Sequence, residues 1–242
     1  MTKNNLTYTF KSVPIKNIDR DDKLTDFFLS APSDSLLKSI EEIGVIHPVI
    51  LTPIDNRFRI VCGHRRVKIS SQLQINEIPA RILDPVPDDE SMLILSLSEN
   101  RFHHHYTDIE KGIILSKLSK ANVTEIPIIE KYMPMLGLEK SKKLLDDHLS
   151  ANQFVSSLKI LLHEMNIPLR VFSVFFSWDK ENILAAVRFF SVLRPGANKL
   201  RDLLEWIEEI STRDEVTPLT LFELPELKSV LNQNDLAPNV RY

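Results

Sequence analysis

Apolar positions in the first hundred residues change period several times. In DSLLKSIEEIG (34–44), Leu36, Leu37, Ile40 and Ile43 fall on one helical stripe, which predicts a helix. Asp34 or Ser35 can cap its start and Gly44 can close its end. PVILTP and FRIVC are β-branched runs on either side of IDNR, and predict a hairpin turning at Asp55–Asn56. RRVKISSQL predicts a short helix, EIPARIL (77–83) a strand, and ESMLILSLSEN a helix after the break at PVPDD. This alternation predicts an α+β domain over residues 1–106.

From Thr107 onward the spacing becomes three-to-four throughout, and nothing reads as a strand. TDIEKGIILSKLSKA opens with a capping-box spacing, Thr107 to Glu110. TEIPIIEKYMPMLGLEKSKKLLDDHL predicts two helical segments with Gly137 between them. The segments ANQFVSSLKILLHEM, NIPLRVFSVFFSW, DKENILAAVRFFSVL and NKLRDLLEWIEEIS continue the helical pattern. Residues 107–242 therefore read as an all-α domain, and the terminal NQNDLAPNVRY as a loosely held tail.

Composition changes this picture little. The chain of 242 residues is 43% hydrophobic and 26% charged, ordinary for a globular protein. VFSVFFSW is far too short to span a bilayer, and MTKNNLTYTFKS lacks the apolar core of a secretory signal. The single cysteine, Cys62, excludes an internal disulfide framework and fits a reducing, cytoplasmic setting. Net charge is −3, and the half after Thr107 carries no basic excess, so contact with DNA requires a local patch.

Candidate chemistry gathers at RIVCGHRRVKISSQL (59–73), where a strand meets a glycine and then a basic helix start. A helix N-terminus offers unpaired N–H groups and a partial positive charge, Gly63 lets backbone approach a ligand, and Arg65 and Arg66 add forked donors suited to phosphate. Cations at a helix start oppose the macrodipole, so an anion is the natural complement. The bland alternative is a solvated basic helix start. Further on, Glu99 and Asn100 offer oxygens for Mg²⁺ or for orienting a water near phosphate. The triplet His103–His105 lacks the i,i+4 spacing of a helical zinc site. Cys62, at the end of an apolar strand, reads as a small buried hydrophobe.

In this order the pieces resemble the ParB/sulfiredoxin-like superfamily, closest to ParB-like partition proteins. GVIHPV (44–49) matches a G-[VLI]-I-x-P-[IV] segment, GHRRVK (63–68) stands where the family has G-E-R-R-x-[RK], and ENRFHHHYTDIE (99–110) follows E-N-x-x-R with its polar turn and helix. The resemblance covers about residues 10–112. It implies a CTP-binding switch in which Gly63, His64, Arg65, Arg66 and Lys68 surround the phosphates, with Arg101 and His103 nearby. It also implies Asn100 at a Mg²⁺ ion and Glu99 near the attacking water, giving at most a slow CTPase. His64 replaces the family's acidic residue, and His103 stands where the family has arginine, with Arg101 two positions earlier. Both departures bear on nucleotide choice and hydrolysis.

Other branches of the superfamily supply the alternatives. Sulfiredoxins place a cysteine after the glycine, whereas VCGHRR reverses that order. Free serine kinases, with ATP as the ligand, carry a G-H-H-R-like segment and a carboxylate near the N-terminus, for which Asp19, Asp21 and Asp22 all qualify. Some members are nucleases. ParB proteins follow the nucleotide domain with a helix-turn-helix, and residues 124–149 carry a segment of that kind, with Lys140, Ser141, Lys142 and Lys143 placed for DNA contact. The resemblance thus implies a nucleotide-gated, DNA-binding partition or regulatory clamp acting as a homodimer. A small-molecule phosphotransferase or a nuclease is the competing expectation.

Overall fold

The computed structural model describes residues 7–100 and 104–231. They divide into two compact units: one up to His105 together with Lys117–Glu125, the other Tyr106–Ser116 together with the residues from Ile126 onward.

The first unit is built on a mixed five-stranded sheet in the order β1-β5-β3-β4-β2. The strands are β1 (Thr7–Pro14), β2 (Ile18–Asp19), β3 (Val49–Ile54), β4 (Arg57–Cys62) and β5 (Glu77–Asp84). The β3–β4 hairpin turns at Asp55–Asn56 as the turn residues require, with Asp55 at φ 47°. β5 runs parallel to β3 and antiparallel to β1, so β1 forms an edge. One face of the sheet buries Val49, Leu51, Ile60, Ile78 and Ala80 with Val67 of helix α2 (His64–Gln72). The other face buries Val61, Cys62 and Leu83 with Met92 of α3 (Asp89–Asn100).

Two local expectations are corrected. Helix α1 (Asp34–Ile43) is capped by Ser33, whose hydroxyl accepts from Leu36 N at 3.3 Å, and not by Asp34 or Ser35. Its apolar stripe buries Ile40, whereas Ile43 is 62% exposed, because the chain turns away at Gly44 (φ 75°) directly after it.

The second unit is entirely helical among its described residues. Helix α4 (Asp108–Lys120) starts with the predicted capping box: Glu110 Oε2 accepts from Thr107 N at 3.1 Å and Glu110 N donates to Thr107 Oγ1 at 3.4 Å. Next come α5 (Glu125–Pro127), a π-helical turn (Ile128–Tyr132) and α6 (Met133–Met135). Pro127 lies in the first turn of this continuous helical run, where its missing N–H has no helical partner, and Pro134 follows closely on the π-helical turn. Helices α7 (Lys142–Ala151), α8 (Ser156–Glu164), α9 (Leu169–Phe172), α10 (Lys180–Leu193), α11 (Ala197–Arg213), α12 (Pro218–Phe222) and α13 (Pro225–Leu231) complete the order. Buried rings of Tyr132, Phe172, Phe175 and Phe190 form much of its core.

The candidate helix-turn-helix occupies α5 to α7. The join between Met135 and Lys142 is six residues, 136–141, with Gly137 left-handed at φ 71°. That exceeds the three or four residues of a helix-turn-helix turn, so the segment is a helix–loop–helix of longer join.

Candidate functional site

Strand β4 ends at Cys62 and α2 begins at His64, with Gly63 alone between them. Gly63 adopts φ 104° and ψ 22°, a left-handed conformation that side chains resist. Space forbids a side chain as well: a Cβ there would lie 2.7 Å from Val49 Cγ1. Gly63 caps α2 without any side-chain acceptor, so the first N–H groups of α2 keep their capacity for an anion.

Arg66 is fixed from three directions. Its Nη1 donates to the carbonyl oxygens of His47 at 2.6 Å and Pro48 at 3.0 Å, and its Nη2 lies 3.5 Å from Glu99 Oε1. Burial draws its pKa down, and Glu99 opposes that shift. Arg65 lies with its guanidinium 4.2 Å from the Phe28 ring centroid and donates to Ser30 Oγ at 2.5 Å. His64 turns inward, with Nε2 2.9 Å from Thr25 Oγ1.

Glu99 and Asn100 close α3. Asn100 donates its amide nitrogen to Ser96 O at 2.8 Å, so Oδ1 is the atom with which it would meet a cation. An oxygen amide and a carboxylate suit Mg²⁺. Among the described residues no group of three His, Cys, Asp or Glu is placed to hold a metal ion. His104 packs edge-on to Phe28 at 4.7 Å.

A cavity of about 590 Å³ brings Gly63, His64, Arg65, Arg66, Glu99 and Asn100 together. Two of its lining residues, His47 and Arg81, were not singled out from sequence. Arg81 lies on β5, where a charged residue in an alternating strand reads as solvent-facing and carries no other signal. Lys68 is exposed and does not line this cavity. It lines a second cavity, also about 590 Å³, that shares Phe28, His64 and Arg65 as a common wall. Of the three N-terminal carboxylates, Asp21 lines that second cavity, while Asp19 lies 3.6 Å from Arg57 and Asp22 pairs with Arg59. Arg101 and His103 lie outside the described residues.

Burial pushes the Cys62 thiol up to about 12, which keeps it protonated and unreactive at neutral pH. In the helical unit, Ser141 caps α7 by accepting from Leu144 N at 3.2 Å, and Lys142 and Lys143 stand exposed in the first turn. Lys140 Nζ is 2.6 Å from Glu130 Oε2 and Lys142 Nζ is 2.9 Å from Asp146 Oδ1, so both lysines already hold carboxylate partners.

The family model described as the ParB N-terminal domain matches residues 2–101. This stretch of the chain is similar to the ParB N-terminal domain family. A probable chromosome-partitioning protein ParB from Pseudomonas putida is 33% identical over 88 residues, 36% of this chain and 30% of the relative. A probable plasmid-partitioning protein ParB from Thermus thermophilus is also 33% identical over 88 residues, 36% and 29% of the two chains. The chain therefore spans about a third of the length of the curated relatives it matches. The crystal structure of C-terminally truncated ParB from Caulobacter crescentus complexed with CTP-gamma-S covers 81% of this chain and 98% of its own. It does so at 17% identity and a TM-score of 0.36, too loose a likeness to carry a ligand across. No helix among the described residues is long and apolar enough to cross a membrane.

Proposed function

We propose that the chain is a ParB-like, nucleotide-dependent DNA-binding protein acting in partition or as a regulatory clamp. In this reading the α/β unit, up to about residue 106, binds CTP with Mg²⁺, and the helical remainder contacts DNA and pairs the chain as a homodimer. The observation that carries it is the single cavity joining the glycine-capped start of α2 to Arg65, Arg66, Glu99 and Asn100. Helix N–H groups and guanidinium forks suit phosphates. Asn100 Oδ1 would contribute one oxygen to a Mg²⁺ shell that water and ligand oxygens complete, and the ion would neutralise phosphate charge. Glu99 would orient the attacking water, and Lys140 to Lys143 would supply DNA contacts at the start of α7.

Two departures shape the reading. His64 points to Thr25, so it leaves the phosphate cradle to Arg65, Arg66 and backbone N–H groups. Lys68 faces the second cavity, so it would act there and not on the same phosphates.

The competing reading, a phosphotransferase with ATP, draws on the second cavity, where Asp21 stands near the His64–Arg65 wall. Calorimetry with Mg²⁺ and CTP, ATP, GTP or UTP separates the two. CTP-selective binding that disappears in Arg65→Ala/Arg66→Ala supports the switch, and an ATP preference moves the assignment to the phosphotransferase. Absence of binding to all four would overturn both.

A further inference from the structure

Arg81 lines the cavity beside Arg66, yet it forms no ion pair among the described residues. Its guanidinium carbon lies 5.2 Å from the Tyr8 ring centroid and 5.3 Å from that of Phe10. These rings, edge-to-face at 5.6 Å, sit two residues apart on edge strand β1, directly across from β5, with Phe10 opposite Arg81 in register. They contribute little to the core, being 49% and 64% exposed. Their physical effect is to brace a cation by its flat faces, which leaves the in-plane N–H groups for a ligand. Arg81 Nε is buried without a hydrogen-bond partner, an unspent donor whose desolvation is offset only when an acceptor arrives.

Arg66 and Arg81 carry like charges close enough for Arg81 to depress the Arg66 pKa, a smaller effect than burial itself. The only carboxylate lining the cavity among the described residues is Glu99, and it faces Arg66. The cavity thus holds three guanidinium groups against one carboxylate. A polyanion resolves that imbalance.

We infer that Arg81, braced by Tyr8 and Phe10, is a phosphate-binding residue that with Arg66 clamps the far phosphates of a polyphosphate ligand and so selects triphosphate over monophosphate. This rests on the nucleotide reading for the identity of the ligand, but not for its anionic chemistry.

The test is calorimetry on the full chain with Mg²⁺, titrating CTP, CMP and inorganic tripolyphosphate into wild type, Arg81→Gln, Arg81→Lys and Tyr8→Ala/Phe10→Ala. Arg81→Gln should weaken CTP and tripolyphosphate by roughly tenfold or more, as expected for lost charge-assisted hydrogen bonds, and CMP by less than about threefold. Arg81→Lys keeps the charge without the fork and should fall between, as should the unbraced double variant. Circular dichroism of the lysine variant guards against loss of fold. If CTP binds and Arg81→Gln leaves it unchanged, or weakens CMP equally, the clamp is overturned while the nucleotide reading stands. Tripolyphosphate binding that depends on Arg81 without any nucleotide preference leaves the clamp standing and sinks the nucleotide reading. Binding of neither by wild type sinks both.

Discussion

His64 Nε2 lies 2.9 Å from Thr25 Oγ1, and the single proton of that hydroxyl is already given to Ile60 O at 2.7 Å. Thr25 can therefore only accept from His64, which fixes the proton on Nε2 and leaves Nδ1 as an acceptor. Burial is the main cause that lowers the His64 pKa to about 4, with Asp26 opposing it. The imidazole is neutral at physiological pH, so a histidine in the cationic segment adds no charge to it.

Ring nitrogen shifts of labelled protein should therefore show His64 neutral at pH 5.5 and protonating only near pH 4. A histidine titrating near 6.5 at this position would contradict the buried geometry. The stability consequence has a definite sign. The unfolded chain takes up the proton near 6.5 and the folded chain near 4, so this contribution is complete above 6.5 and is lost as pH falls toward 4. It amounts to roughly 3 kcal/mol over the window, and His64→Gln, which keeps an N–H donor, should flatten urea midpoints there relative to wild type.

Gly63→Ala should destabilise the first unit by about 2–3 kcal/mol, summing a left-handed backbone and a Cβ clash with Val49. Chemical denaturation measures this. An unchanged midpoint would mean that β4 and α2 reorganise around the junction.

Gly112 in α4 sets two known effects against each other. Alanine gains about 1 kcal/mol in helix propensity. Its Cβ, however, would lie 2.6 Å from the backbone carbonyl oxygen of His148 in α7, closer than packed atoms allow. Backbone cannot swing aside, so overpacking should win and Gly112→Ala should lower stability by roughly 1–2 kcal/mol. A stabilised variant in thermal unfolding would refute this.

Glu110 is fully buried, accepts from Thr107 N and Oγ1, and lies 3.6 Å from His163 Nδ1. Thr107→Ala removes one cap and should cost about 1 kcal/mol. Glu110→Ala opens a hole and strands Thr107 N, while Thr107 Oγ1 and His163 Nδ1 keep their 3.1 Å contact, and should cost about 3 kcal/mol. The ranking in a denaturant series, more than either value, checks the role of the carboxylate.

Sequence alone determined the features whose causes are local. The turn at Asp55–Asn56, the helix after Gly63, the capping box of Thr107 and Glu110 and the all-helical second half follow from residue type and period within a few positions. The order of the three motifs likewise made the ParB likeness legible before any coordinates. Tertiary structure decided what depends on distant partners. β1 was not legible because Tyr8 and Phe10 on one face and Thr7, Thr9 and Lys11 on the other are all exposed, so no amphipathic signal marks the strand. His64 meets Thr25 and Arg65 meets Ser30 across 39 and 35 residues, pairings that no local pattern encodes. Lys68 and Arg66 lie two residues apart on α2 and so cannot share a face, which divides the basic cluster between two cavities. Arg81 enters the site only because β5 runs parallel to β3, bringing Arg81 level with Ile50 of that strand.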